Sequence, residues 1–272
     1  MGGEIVELHK KFDDLKNIIK NYGSLAVAFS GGVDSTFLLK AAYDVLGGGV
    51  VAVTARSPFF PERETEEAVK FCKFENITHI FCVTEPLKIE KVAQNAPERC
   101  YECKKDILKK IKEAAAPYNI KYIAEGSHAD DDESDRPGFR AVLEHGVKSP
   151  LKEAGMKKSD IRALSKELGL KSWDKPAAAC LATRFAFWEP LTKEKLRAVE
   201  TAESFLSGLG FSQIRVRSDG KTARIEIDPD KFAKILEGGV PRMINEKFRE
   251  YGFTHAALDL GGYKPGGANG VL

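Results

Sequence analysis

The segment with the clearest potential for chemistry is a polar, glycine-rich hexapeptide, Ser30-Gly31-Gly32-Val33-Asp34-Ser35. The apolar run 25–29 before it predicts a short buried strand, and the apolar spacing after it predicts a helix that continues to Leu46. A turn of this kind presents unpaired backbone N–H groups to an anion, because Gly31 and Gly32 carry no Cβ that would block a phosphate. Ser30 and Ser35 add hydroxyl donors, and Asp34 beside a phosphate indicates a bound cation such as Mg²⁺. The segment therefore predicts a phosphate-binding loop.

The spacing of this loop differs from two commoner phosphate-binding sequences. The chain contains neither the G-x-x-x-x-G-K-[ST] of a Walker loop nor the G-x-G-x-x-G of a dinucleotide-binding fold. The full hexapeptide instead resembles the loop of the PP-loop ATP pyrophosphatases. That resemblance implies that residues 30–35 hold the β- and γ-phosphates while ATP is split into AMP and pyrophosphate, and that AMP is left on a substrate oxygen. The alternative is an ordinary turn capped by serine and aspartate.

Three of the five cysteines lie in sequences that suggest chemistry. Cys100 and Cys103 form a C-x-x-C pair, which at helical spacing places two thiols on one helix face. Such a pair can be half of a zinc site, a redox dithiol, part of an iron–sulfur site or an accident, and no nearby pair of cysteines or histidines completes a zinc site. Cys180 precedes a threonine–arginine pair whose positive charge favours the thiolate. Cys72 and Cys82 are expected to be buried structural residues.

A pair of arginines in the last third of the chain forms another candidate binding site. Arg215 and Arg217 alternate along a predicted strand, so both side chains point to the same face of the sheet. Two guanidinium groups on one face suit a phosphate. Spacing alone favours a simpler interpretation, in which a solvated sheet face pairs with acidic residues, and Glu200 and Glu226 are plausible charged partners.

The elements that must position these residues alternate between strands and helices in the first half of the chain. Strands are predicted at 50–54, 79–83 and 122–126, and helices at 62–74 and 103–115. This order indicates an α/β fold with a parallel sheet and helices on both faces. The phosphate loop then lies at the carboxyl end of the first strand, where such sheets bind ligands.

The pattern changes after a helix predicted at 157–168. A helix at 191–206 is followed by strands at 213–217 and 222–227, whose connecting Ser218-Asp219-Gly220 predicts a hairpin. A short helix and a closing strand complete the chain. We therefore expect a PP-loop ATP pyrophosphatase domain over residues 1–185 and a small α+β domain for substrate binding or oligomerisation over residues 186–272.

The composition of the chain indicates which classes of function and location to expect. Lysine and arginine exceed aspartate and glutamate by two among 272 residues, so no strong field attracts the chain to nucleic acid or an anionic membrane. No apolar stretch is long enough for a transmembrane helix, and the charged first 20 residues do not resemble a signal peptide. The odd number of cysteines favours reduced thiols, and we expect a cytoplasmic enzyme.

Blocks along nearly the whole chain resemble the LarE family, the ATP-dependent sulfur transferases of nickel-pincer nucleotide cofactor synthesis. The matching blocks are residues 30–35, 99–104, 125–131, 136–138, 149–151, 173–176, 179–184 and 258–263. The block around Cys180 is the most specific to this family. Two positions depart from the family pattern, since His128 stands where asparagine is expected and Lys264-Pro265 where arginine and serine are expected.

The family resemblance implies a reaction. ATP and Mg²⁺ adenylylate a carboxylate of pyridinium-3,5-biscarboxylic acid mononucleotide, with Asp34 as a catalytic residue. A sulfur nucleophile then displaces AMP and leaves a thiocarboxylate, which is chemically reasonable because a mixed anhydride is far more reactive than a free carboxylate. The resemblance also implies that Arg184, Arg215 and Arg217 bind the substrate phosphate.

Members of the family differ in the source of the sulfur that they transfer. In members with one cysteine at the position of Cys180, that residue gives up its own sulfur and becomes dehydroalanine. In members with an added C-x-x-C, three cysteines hold a 4Fe–4S cluster, and Cys100, Cys103 and Cys180 match this pattern. Three thiolates leave the fourth iron open for a hydrosulfide, so the cluster interpretation is favoured here.

Two other functional classes remain at this point. A PP-loop tRNA thiolase would also use three cysteines and a cluster, but it usually carries a basic surface or an added RNA-binding domain. A non-catalytic ATP-binding or cluster-carrying module would not need both Asp34 and the Cys180 block. We expect a small-molecule nucleotide substrate, a homo-oligomer, no membrane association and no stable nucleic-acid complex.

Overall fold

The computed structural model describes residues 2–131, 137–176 and 179–264. Most of the acidic run 130–135, together with Arg136 and Pro265, lies outside the described residues. The chain folds into two compact units. The first comprises the described residues up to 86 and those from 100 to 176, and the second comprises residues 87–99 and 179–264. The second unit thus also includes a segment from the first half of the chain, while the division at residues 185 and 186 stays a prediction.

A parallel four-stranded sheet forms the centre of the first unit. Its strands lie in the spatial order β3-β2-β1-β4 and are β1 (Leu25–Ala28), β2 (Val50–Arg56), β3 (Thr78–Val83) and β4 (Tyr122–Ala124). The helices of the first two thirds of the chain are α1 (Gly2–Tyr22), α2 (Val33–Leu46), α3 (Glu62–Phe74), α4 (Glu90–Ala93), α5 (Arg99–Ala115), α6 (Pro137–Glu144), α7 (Pro150–Glu153) and α8 (Lys158–Glu167). Of these, α4 belongs to the second unit.

Both faces of this sheet are covered by helices. Leu25 and Val27 of β1 are buried in a cluster with residues of α1, α2, α3 and α8. Ala26, which points to the opposite face, is buried with Ile111 and Ala115 of α5. Successive residues of a strand point to opposite faces, so a strand covered on both sides has no polar position, as the sequence of β1 shows. The α/β fold class with helices on both faces is confirmed.

A three-stranded sheet forms the centre of the second unit. β5 (Ile214–Asp219) and β6 (Thr222–Ile227) form the predicted hairpin, and β7 (His255–Leu258) pairs with β6 in parallel. Gly220 in the connection has φ of 66°, a conformation that glycine adopts without steric cost. The helices of this unit are α9 (Lys193–Gly208), α10 (Phe232–Leu236) and α11 (Val240–Glu250). The unit therefore has the expected small α+β architecture.

The segment 87–99 joins the second unit through backbone hydrogen bonds. Leu191 donates its N–H to the carbonyl of Ala93 at 2.7 Å, and Trp188 donates to the carbonyl of Asn95 at 3.1 Å. The buried Asn95 side chain donates in turn to the carbonyl of Ala186 at 2.5 Å. These bonds connect two segments that are 91 residues apart in sequence at Asn95 and Ala186.

Among the described residues, no helix combines the length and the apolar character that crossing a bilayer requires.

Candidate functional site

The glycine-rich loop begins where β1 ends and leads directly into α2. Gly31 has φ of 74°, and a Cβ at this position would lie 3.1 Å from the carbonyl oxygen of Glu64. The Ser30 and Ser35 hydroxyls lie 3.1 Å apart, and the backbone N–H of Ser30 donates to Ser35 Oγ at 3.3 Å. The sequence therefore folds into a tight turn at the carboxyl end of the sheet, and the first amides of α2 follow it.

Gly126 brings the segment after β4 against the same helix start. A Cβ on Gly126 would lie 3.1 Å from the backbone nitrogen of Ser35 and 3.2 Å from Cβ of Asp34. The residue before it, Glu125, is buried, and its carboxylate accepts hydrogen bonds from the hydroxyls of Ser127 at 2.9 Å and Ser149 at 2.7 Å. Backbone therefore encloses the loop on the side of β4, and the close contact favours a glycine at position 126.

Asp34 is held by a lysine that sequence reasoning did not select. Both carboxylate oxygens of Asp34 accept hydrogen bonds from Lys158 Nζ at 2.6 Å. Lys158 is the first residue of α8, and its own N–H donates to Asp130 at 2.7 Å. A cationic group therefore faces the carboxylate that was predicted to bind a metal, and the metal-binding role of Asp34 stays a prediction.

Lys175 is a second lysine at the loop. Its Nζ donates to the carbonyl oxygen of Gly31 at 3.2 Å and pairs with Glu64 at 2.5 Å and Glu67 at 2.6 Å. The Lys175 side chain is only 13% exposed, so its charge is held firmly beside the loop. Lys158 and Lys175 thus each bring an ammonium group, paired with carboxylates, next to the glycine-rich turn.

His128 lies further along the segment that follows β4. The residue is buried, and its Nδ1 has no hydrogen-bond partner among the described residues. Its Nε2 lies 3.6 Å from Asp131, and its backbone N–H donates to the same carboxylate at 3.1 Å. These contacts fix the ring near the end of the parallel sheet.

The structure places Cys100 and Cys103 in the first turn of α5, where the former is exposed and the latter half-buried. Cys180 belongs to the second unit and comes directly before a short 3₁₀ turn, Leu181–Arg184. Its carbonyl oxygen accepts hydrogen bonds from the backbone N–H of Thr183 at 3.0 Å and from the Thr183 hydroxyl at 2.7 Å. No group of three or more metal-ligating side chains is found in the part of the chain that the structure describes.

Cys72 and Cys82 are confirmed as buried residues. Burial in apolar surroundings raises the pKa of the Cys72 thiol to about 12 and that of Cys82 to about 11. Both therefore stay protonated at neutral pH and are poor nucleophiles.

Buried arginine–glutamate pairs surround the segment that carries Cys180. Arg184, 2% exposed, donates to Glu203 at 2.6 and 3.1 Å. Arg217 donates to Glu226 at 2.7 and 3.1 Å. Thr183 lies between the two pairs, because its hydroxyl accepts from Arg184 at 2.8 Å and its carbonyl accepts from Arg217 at 2.7 Å. The network fixes the backbone next to Cys180.

The structure thus brings together two of the three arginines that were assigned to a substrate phosphate, each already paired with a carboxylate. Glu226 is confirmed as a charged partner. Glu203, one helical turn after Glu200, is the residue that pairs with Arg184, and its role was missed. The 3.6-residue periodicity of α9 offers this signal, since position 203 lies on the same side as the buried Val199 and Leu206.

Arg215 is the third member of the arginine group. Its guanidinium lies 5.2 Å from the ring centre of Tyr263, and its side chain is half-buried. Burial lowers its pKa and the positive charges of Arg184 and Arg217 lower it further, whereas the carboxylate of Glu203 acts in the opposite direction. Its guanidinium also donates to the carbonyl of Ile214 at 2.7 Å.

Comparisons with known proteins identify the family. The chain is 37% identical to the uncharacterized protein slr1717 of Synechocystis over 97% of its own length and 99% of that protein. It is 34% identical to the pyridinium-3,5-bisthiocarboxylic acid mononucleotide synthase of Lactiplantibacillus plantarum over 93% of its own length and 92% of that enzyme. The chain belongs to the LarE family.

A further LarE-like relative is the uncharacterized protein MJ0830 of Methanocaldococcus jannaschii, 32% identical over 95% of this chain and 97% of that protein. No family model matches the chain. Because these alignments each extend over at least 93% of the chain, the LarE resemblance applies to both compact units and not to the phosphate loop alone.

The arginine–glutamate network gives a stability prediction. Glu203→Ala should destabilise the protein by about 3–5 kcal/mol, because it leaves the charge of the buried Arg184 without its carboxylate and removes the acceptor of the Val216 N–H. Urea unfolding at neutral pH measures the change. Glu194→Ala, on the exposed side of the same helix, is the matched control and should have a much smaller effect. Equal losses in the two variants would contradict a structural role for Glu203.

Proposed function

We propose that this LarE-family chain is an ATP-dependent sulfur transferase that converts a carboxylate of pyridinium-3,5-biscarboxylic acid mononucleotide into a thiocarboxylate. The name of the Lactiplantibacillus relative supports the substrate class. One structural observation carries the proposal: the chain combines an anion-binding loop flanked by two lysines with a cysteine fixed inside a cluster of arginines. The first feature suits activation by ATP, and the second suits sulfur chemistry on an anionic nucleotide.

The activation step is the transfer of AMP to the substrate. A carboxylate oxygen attacks the α-phosphorus of ATP, the bond to the β-phosphate breaks, and pyrophosphate leaves. In the proposal, the first amides of α2 and the hydroxyls of Ser30 and Ser35 bind the β- and γ-phosphates with Gly31 and Gly32, as donors at a helix N-terminus do. Lys175 adds positive charge next to the Gly31 carbonyl.

Asp34 is the residue that we propose to hold Mg²⁺. Its carboxylate oxygens are ligands of the type that Mg²⁺ prefers, and they lie at the start of α2 beside the loop. Mg²⁺ bound there would neutralise charge on the triphosphate and on the leaving pyrophosphate.

The arginine group of the second unit is the proposed site for the substrate phosphate. Arg215 suits a direct contact because its charge lies close to that of Arg184 and Arg217. Arg184 and Arg217 are anchored by Glu203 and Glu226, so they present fixed positive charge at low entropic cost.

Sulfur then replaces AMP on the activated carboxyl carbon. Thiolates suit iron, so the donor type of Cys100, Cys103 and Cys180 fits a 4Fe–4S cluster. Such a cluster would supply a hydrosulfide on the iron that lacks a cysteine ligand. In the alternative, Cys180 itself donates its sulfur and becomes dehydroalanine.

Pyrophosphate release tests the activation step. Asp34→Ala should lower release by about a hundredfold or more, because the triphosphate loses its metal-binding carboxylate. The assay contains MgATP and the biscarboxylate mononucleotide. Asp44→Ala, which removes the carboxylate partner of Lys40 on the same helix, is the control and should keep normal release. Unchanged release by Asp34→Ala would refute its role, and release that requires tRNA instead of the mononucleotide would favour a tRNA thiolase.

Binding measurements test the phosphate site. Arg215→Ala should weaken binding of the mononucleotide by about 1.5–3 kcal/mol, the contribution of one charge-assisted hydrogen bond, and leave ATP affinity nearly unchanged. Isothermal titration of each ligand measures both affinities. Arg197→Ala, an exposed arginine on α9, should change neither. A loss of ATP affinity in Arg215→Ala would place this residue in the nucleotide site instead.

Turnover counting tests the source of sulfur. Protein purified without oxygen and supplied with iron and sulfide should form more than one thiocarboxylate per chain, and Cys180 should keep its sulfur. Cys100→Ala should lose the cluster, since two thiolates do not hold a cubane as three do, whereas Cys72→Ala should retain it because Cys72 lies in the core. A single turnover with loss of one H₂S from Cys180 would show that this residue is consumed.

A further inference from the structure

Lys158 lies against Asp34 beside the glycine-rich loop. Its ammonium contacts both carboxylate oxygens of Asp34 at 2.6 Å, although the two residues are 124 positions apart in sequence. Its backbone is fixed by the hydrogen bond from its N–H to Asp130. The side chain itself is 29% exposed and that of Asp34 26%, so the ion pair lies at an accessible edge of the unit.

This ion pair and a metal ion on Asp34 compete for the same carboxylate. A divalent cation binds the lone pairs of carboxylate oxygens, and the ammonium of Lys158 now contacts both of these oxygens. Two cations so close together also repel each other. Binding of Mg²⁺ to Asp34 therefore requires Lys158 to move, and the displaced ammonium needs another anion.

We propose that Lys158 is a phosphate-binding residue that neutralises Asp34 in the absence of nucleotide and transfers its ammonium to the triphosphate when Mg²⁺ takes Asp34. This inference rests on the proposed use of ATP. Mg²⁺ neutralises only part of the triphosphate charge, so the freed ammonium finds a strong partner beside the loop. Asp34 stays paired with a cation before and after ATP binds.

Lys175 is less suited to this exchange. It is bound by Glu64 and Glu67 together with the carbonyl of Gly31, and Glu64 is only 12% exposed. If Lys175 moved away, Glu64 would lose its lysine partner, and Glu67 would keep the longer contact with Arg63 at 3.5 Å. Lys158 leaves a single carboxylate, and the incoming metal neutralises that one. Lys175 therefore acts as fixed charge, while Lys158 changes partners.

Nucleotide binding provides the first part of the test. The probe is the Mg²⁺ complex of the α,β-methylene analogue of ATP, which has no cleavable bond at the reacting position. At saturating Mg²⁺, Lys158→Met should bind it about tenfold or more weakly than the wild type in isothermal titration, because one charged contact to phosphate is lost. Lys158→Arg retains a positive charge and should lose less. Lys157→Met removes the neighbouring exposed lysine and should bind normally.

Metal binding without nucleotide provides the second part. Mn²⁺ replaces Mg²⁺ as a paramagnetic probe, and electron paramagnetic resonance measures how much of it stays free. Lys158→Met should bind Mn²⁺ several-fold more tightly than the wild type, because Asp34 is no longer neutralised by an ammonium. Asp34→Asn introduced into Lys158→Met should abolish that gain. Thermal unfolding of each variant verifies that the fold is retained.

The outcomes separate this inference from the proposed function. Wild-type protein that does not bind the analogue would overturn both. If Lys158→Met binds the analogue as tightly as the wild type does, the role of Lys158 is overturned. The proposed use of ATP would then stand. Weaker nucleotide binding without a gain in Mn²⁺ affinity would show that Lys158 does not compete with the metal for Asp34, and it would overturn the exchange of partners.

Discussion

The glycine-rich loop and the start of α2 depend on one constraint. Other backbone segments approach the residues around Ser35 very closely. Gly31 passes the carbonyl of Glu64, and Gly126 passes the amide nitrogen of Ser35, so closely that a Cβ at either position would lie 3.1 Å from that backbone atom. The absence of side chains at these two positions therefore favours the convergence of the loop, the start of α3 and the segment after β4. That convergence in turn sets where Asp34, Lys158 and Lys175 carry their charges.

The two compact units manage charge differently. In the first unit, Lys158 is partly exposed and pairs with the single carboxylate of Asp34, whereas Lys175 is more buried and pairs with two glutamates. In the second unit, Arg184 and Arg217 are nearly inaccessible and bound in bidentate fashion by Glu203 and Glu226. Breaking a buried pair of this kind is costly, so these arginines behave as part of the framework that holds the Cys180 segment.

Much of the fold was predictable from the sequence because periodicity is a local signal. The apolar runs of β1 and β2, the helix 62–74 and the Asp-Gly turn of the hairpin all depend on residues near one another in the chain. The tight turn between β1 and α2 was predictable for the same reason. Lys158 was not, since its contact with Asp34 spans 124 residues, and a lysine at the start of a helix normally lies in solvent. The sequence also did not predict that residues 87–99 belong to the second unit, because this depends on hydrogen bonds to a distant segment of the chain. Glu203 was missed in favour of Glu200, although the periodicity of α9 places Glu203 on the same side as the buried Val199 and Leu206.

The hydrogen bonds around Cys180 have a consequence for protein quality control. The backbone N–H and hydroxyl of Thr183 bind the carbonyl oxygen of Cys180, and Arg184 and Arg217 hold Thr183 in place, so these contacts do not involve the sulfur atom. In the alternative in which Cys180 donates its own sulfur, a chain that had lost the sulfur would keep these hydrogen bonds. Proteases that act on unfolded chains would then not distinguish it through these contacts from a chain that still carries the sulfur.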